Sequence, residues 1–293
     1  MTSARRLARI AAPAALGLGL ALFPRFADAA PLDLYYERTV MVAADARCRL
    51  FAPEIGAALA AARAQARGAA LRAGVDEATV DQAGGRAIAA ARRADCASQD
   101  IATAAGRVRQ AFEGYARLIR MDYPGEVAGW AADRSSSKTA LRWRLQQATR
   151  SGDVRMAFGL AGRHGANRVM AVAAFPKGET PYAARLVIRD RALAPRPYLD
   201  LRTSNLARRL PPASAQTAFS AEARSRAGLD LLPKGWPPSW AFRFPSSSAE
   251  ALAALDPREA AAVEFLFPGD RVRTVYLEVG DFAAGRAFLQ VER

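Results

Sequence analysis

Apolar and polar positions along this chain change their period once, near residue 139. Before that point apolar residues recur at steps of three, four and seven, the spacing that lines one face of a helix. Residues 101–119 show it best: Ile101, Val108, Phe112, Tyr115, Leu118 and Ile119 form a stripe, with Arg107, Arg109 and Arg120 opposite. Three helices are predicted ahead of it, over residues 32–47, 53–71 and 76–93. Pro53 suits a first helical position, where its missing N–H has no partner in any case. Gly74 is a suitable stop and Asp76 a good N-cap. Gly84-Gly85 weakens the middle of the third helix. Alanine-rich faces let helices approach closely, so a compact four-helix bundle is the expected product.

From Thr139 the period is two. Leu141, Trp143 and Leu145 alternate with Arg142, Arg144 and Gln146. A Ser151-Gly152-Asp153 turn leads into Val154, Met156, Phe158 and Leu160, which is a hairpin signal. Residues 168–175 and 182–188 add two strands. Each strand shows one apolar and one arginine-rich face, so an antiparallel sheet with a solvated side is predicted. Residues 191–245 read as irregular and proline-rich, with Trp236 and Trp240 covering a sheet edge. A short helix at 246–255, strands through Val263–Phe265–Phe267 and Val275–Leu277–Val279, and a last helix capped by Asp281 follow. The fold class is therefore α+β. A helical bundle over residues 30–122 is followed by a junction at 123–137, then by an antiparallel β-sandwich or open barrel over 138–293.

The stretch Ala262-Val263-Glu264-Phe265, and then residues 274–288 beginning Thr274-Val275-Tyr276-Leu277-Glu278-Val279-Gly280-Asp281, resembles the end of the invasion-associated locus B family. Those are secreted bacterial β-sandwich proteins with no established enzymatic role. The likeness covers about fifty residues and implies a sandwich in an exported chain. It carries over no functional residue.

The first 29 residues change the picture from fold to address. Arg5, Arg6 and Arg9 precede an apolar run over residues 10–23, and Ala27-Asp28-Ala29 supplies a small-x-small cleavage pattern. That is a secretory leader, and a run of that length is short for a spanning helix. No later run is long enough to span a bilayer, so the mature chain is expected to be periplasmic or secreted, without a transmembrane segment. Cys48 and Cys96 are the only two cysteines. In an oxidising compartment they most simply pair, and closing that loop is worth roughly 3–4 kcal/mol against the unfolded state.

Net charge is +14, and all but three of the 42 basic residues are arginine, the lysines being Lys138, Lys177 and Lys234. The arginines are scattered rather than blocked, which fits a compositional bias and argues against a nucleic-acid partner. The chemistry-bearing patterns are few. No phosphate loop, dinucleotide fingerprint or metal-ligand cluster is present, so no cofactor is expected. The aromatic and polar junction singles out Tyr123, Trp130 and Arg134 as binding candidates. Ser135-Ser136-Ser137-Lys138 reads Ser-x-x-Lys, which would make Ser135 an acyl-enzyme nucleophile beside Lys138. That lysine belongs one turn into a helix, whereas Lys138 opens a strand-like alternation. The sole histidine, His164, sits in a turn. The expected function is a non-catalytic binding or envelope-assisting role with the ligand left open, the candidate partners being another envelope protein or an anionic envelope polymer. The rivals are the Ser135–Lys138 acyl-enzyme and an anionic envelope polymer held on an arginine-rich strand face.

Overall fold

A computed structural model describes residues 30–176, 179–199 and 204–290. Four helices come first: α1 (Pro31–Cys48), α2 (Pro53–Arg72), α3 (Glu77–Arg93) and α4 (Gln99–Arg117). Their ends follow the sequence signals. Pro31 and Pro53 open α1 and α2, Asp76 accepts the Thr79 N–H and Ser98 the Ile101 N–H. Gly74 takes φ +91°, which turns the chain out of α2. The buried face of α2 is mostly alanine (Ala58, Ala61, Ala62, Ala66, Ala70), so its neighbours pack close. Gly84 is a packing residue rather than a weakness. A Cβ there would stand 2.7 Å from the Tyr35 hydroxyl. The Cys48–Cys96 disulfide joins the end of α1 to the α3–α4 connection, with Cα atoms 5.6 Å apart.

Among the described residues eleven strands, two short α-helices and two 3₁₀ turns follow. β1 (Arg120–Tyr123), β2 (Trp130–Asp133), β3 (Arg142–Ser151), β4 (Val154–Gly162) and β5 (Arg168–Ala174) precede β6 (Ala183–Arg189) and β7 (Gln216–Ser220). Then come β8 (Ala223–Arg226), β9 (Trp240–Phe244), α5 (Ser247–Ala253), β10 (Ala260–Phe267), β11 (Arg271–Glu278) and α6 (Phe282–Leu289). One sheet runs β1-β2-β3-β4-β5-β9-β8 and the other β11-β10-β6-β7, with antiparallel pairing between neighbours. Their inner faces share one core, with Met156, Phe158, Phe242 and Phe244 opposite Leu186, Val263, Phe265 and Leu277. The α+β arrangement of helices followed by antiparallel sheets is as expected, and the β part is a sandwich of two sheets.

Several details depart from the sequence reading. The stripe of α4 does not continue through Leu118 and Ile119: the helix stops at Arg117, and both residues are exposed. Pro124 forbids helix at Tyr123, and pairing of β1 with β2 claims residues 120–123 instead. The stretch read as irregular contains β7, β8 and β9, which are four or five residues each, too short to show a period among the prolines around them. The face expected to be solvated is largely covered. In β4 only Arg155 is exposed, and the outward Ala161, Val172 and Ala241 lie beneath Leu231 and beside Trp143. The Trp143 indole donates to the Leu231 carbonyl at 2.8 Å, fastening that cover. Trp240 is not an edge cover: it opens β9, which pairs with both β5 and β8, and it lies under the Arg224 and Arg226 guanidiniums at 4.5 and 4.0 Å.

The helical and β parts meet along α2 and α6. Arg72 of α2 donates through both Nη atoms to the Asp281 carboxylate, at 2.8 and 2.9 Å. Asp281 was expected to cap α6, but its carboxylate makes no cap bond and turns to Arg72 instead. Gly68 makes the approach feasible, since a Cβ there would stand 2.5 Å from Asp281 Oδ1. Ala61 of α2 belongs to the same buried cluster as the sandwich core. Burial pushes the Asp281 carboxyl above its ordinary value, and Arg72 opposes that shift.

Reducing Cys48–Cys96, or replacing both cysteines by alanine, is expected to lower unfolding free energy by roughly 3–4 kcal/mol in denaturant melts. Arg72→Ala strands a buried carboxylate and should cost about 3 kcal/mol. Gly68→Ala should destabilise through the same contact, and adding it to Arg72→Ala should cost clearly less than the two single losses combined.

Candidate functional site

The junction residues are held by three side-chain clamps. The first is Glu278 at the end of β11. Its buried carboxylate accepts the backbone N–H groups of Glu126, Val127 and Ala128 at 2.8, 2.7 and 2.8 Å, which fixes the β1–β2 loop. Gln147 completes it, accepting from the Glu278 N–H and donating to the Ala128 and Glu278 carbonyls. A strand-face reading puts Glu278 on a polar surface, but the loop over it makes that position interior.

The second clamp is Arg134, which follows β2. Its Nε donates to the Phe288 carbonyl at 2.7 Å and its guanidinium lies 3.5 Å above the Phe288 ring. Its Nη1 donates to the carbonyls of Ala116 and Leu118. One cation thus satisfies the carbonyl ends of α4 and α6, where a positive charge is favoured by both helix dipoles. The third clamp is Arg144 of β3, which is 4% exposed. It donates to the Asp133, Ser135 and His164 carbonyls at 2.8, 3.0 and 3.3 Å and so ties the β2–β3 connection to the β4–β5 turn. The register of β3 shifts between Trp143 and Leu145, which takes Arg144 out of simple alternation and sends it inward. Gly159 on β4 admits that bulge, since a Cβ there would collide with the Leu145 carbonyl.

Between these elements lies a cleft of about 800 Å³, bounded by the β2–β3 connection, the β4–β5 turn and the end of α6. Arg134, Arg144, Arg286, His164, Asn167 and Ser136 line it, and none of its lining residues is acidic. Asp133 is turned away: its carboxylate takes the Ser135 N–H and hydroxyl and the Arg120 Nε. Partial burial raises its carboxyl, but the bonds from Ser135 and Arg120 together hold it below the usual range.

The structure places the sequence candidates unequally. Arg134 and Ser135 line the cleft. Tyr123 and Trp130 are buried in the main core and face no solvent. The Tyr123 hydroxyl meets the Tyr115 hydroxyl at 2.9 Å, and burial drives its phenol far above the ordinary range. Trp130 packs edge-on to Phe282 at 5.0 Å and donates to the Val279 carbonyl. The Ser-x-x-Lys segment is irregular backbone, the Ser135 hydroxyl is bound to Asp133, and Lys138 is exposed. Known proteins supply no further guide: no family model matches the chain, and neither a curated protein nor a solved structure matches it. Among the described residues no helix is long and apolar enough to cross a membrane. Arg144, Asn167 and Arg286 were not singled out from sequence. Arg144 was hidden by the bulge, and the other two become neighbours only through the sandwich and α6.

Arg144→Met is expected to leave three carbonyls without their donor, at a cost of about 2 kcal/mol. Amide exchange should accelerate at residues 134–137 and 163–167 while α1 to α3 keep wild-type protection, as read by hydrogen–deuterium exchange.

Proposed function

We infer that the chain is an exported protein whose work is binding without covalent chemistry, with the cleft between the β2–β3 connection, the β4–β5 turn and α6 as its ligand site. The observation that carries this reading is that the cleft is preformed. Arg134 and Arg144 each place donors on backbone carbonyls, of four separate segments in all, so the walls are fixed before any ligand arrives. The leader pattern of residues 1–29 and the Cys48–Cys96 bond agree with an oxidising compartment outside the cytosol. The C-terminal resemblance to secreted sandwich proteins agrees with the same address. The partner on this reading is an envelope component.

Expression of the full chain with its leader in a bacterial host, followed by fractionation and thiol alkylation, should recover a shortened, alkylation-resistant chain in the periplasmic fraction. The same material should give no band with fluorescent penicillin or a fluorophosphonate. A band that disappears in Ser135→Ala would replace this reading by the acyl-enzyme one.

A further inference from the structure

The cleft's charge is the feature the binding reading leaves unused. Arg144 is buried, yet its donors are only partly consumed. Nε and Nη1 meet backbone carbonyls, whereas Nη2 has no protein acceptor among the described residues. All three of its acceptors are neutral, and it forms no ion pair among those residues. Burial accordingly lowers its affinity for the proton, with only the Asp133 charge nearby to oppose that. A carbonyl solvates a guanidinium but leaves its unit charge in place. Arg286, on the opposite wall, reaches one carboxylate, Glu250, at 3.7 Å, and that partner is largely exposed. A contact of that length in solvent holds the side chain weakly.

The rest of the lining is neutral and able to hydrogen-bond: Ser135, Ser136, His164, Asn167 and Gln290. Hydroxyl and amide groups of this kind match a polyhydroxylated ligand. The volume of about 800 Å³ is far more than a bare ion fills. Resting on the reading of the cleft as a binding site, we propose that its ligand is an acidic saccharide, with an oxyanion between Arg144 Nη2 and Arg286 and sugar hydroxyls on the serine, asparagine and glutamine side chains. Charge-assisted bonds to the guanidiniums supply affinity, and the neutral groups select the sugar body.

The test is calorimetric titration of the disulfide-bonded chain with four probes: a uronic-acid trisaccharide, a phosphorylated hexose, inorganic phosphate and a neutral trisaccharide of the same length. The two acidic sugars should bind, inorganic phosphate should bind more weakly, and the neutral sugar should not register. Affinity for the acidic sugars should fall about tenfold in Arg286→Ala, further in Arg286→Glu, and with added salt. Arg286→Ala should change the melting temperature little, since the Glu250 partner is largely exposed. Ser136→Trp should block the cleft and abolish binding. Equal binding of the neutral trisaccharide, lost in Ser136→Trp, would overturn the acidic class while leaving the cleft as the site. Acidic-sugar binding untouched by Ser136→Trp and Arg286→Glu would overturn the cleft itself. Failure of both acidic sugars to bind would overturn the inference outright.

Discussion

The bidentate contact of Arg72 with Asp281 decides how the two parts of this protein sit on one another. It joins α2, which forms the alanine-lined centre of the bundle, to the first residue before α6, which closes one end of the sandwich. The contact is feasible only because Gly68 leaves room for the carboxylate. At the far end of α6, Arg134 takes the Phe288 carbonyl and stacks on its ring. A helix of eight residues is too short to persist alone. Here it is fixed at both ends by arginines from other elements, and the cleft inherits one wall from that arrangement.

Arginine is used in this molecule largely as a backbone ligand. Arg134, Arg144 and Arg189 each reach two or more carbonyls from buried positions, and Arg189 also meets Glu259 in a fully buried pair. The planar fork of donors suits that work in a way lysine cannot match. The arginine excess of the composition is therefore partly structural. Other arginines are paired nearer the surface, Arg185 with Glu264 across β6 and β10 and Arg273 of β11 with Glu179 of the β5–β6 connection.

Local signals in the sequence were strong enough to place the starts of α2 and α3, because Pro53 and Asp76 act within a turn of their own position. A count of just two cysteines made the disulfide legible, since only one pairing is possible. The strands of residues 142–188 and 260–278 were legible where Leu, Phe and Val alternate over several residues. What stayed hidden depends on partners distant in sequence. Glu278 looks exposed by strand parity until a loop 150 residues away in sequence lays three amides on it. Arg144 looks exposed until a bulge turns it inward. Tyr123 and Trp130 attracted notice as aromatic and polar, and the packing of α6 and Phe158 over them shows them to be interior. The cleft could not be read because its walls come from three segments that only the finished sandwich gathers.

The position of the disulfide has a consequence for the order in which the two parts assemble. Cys48 and Cys96 bracket α2 and α3, and α2 carries the arginine that holds the two parts together. A polypeptide whose thiols are still apart lacks the constraint that shapes the platform for α6. Such a chain stays closer to an open coil. Oxidation then locks the platform, so this one bond sets when the seat for α6 becomes firm.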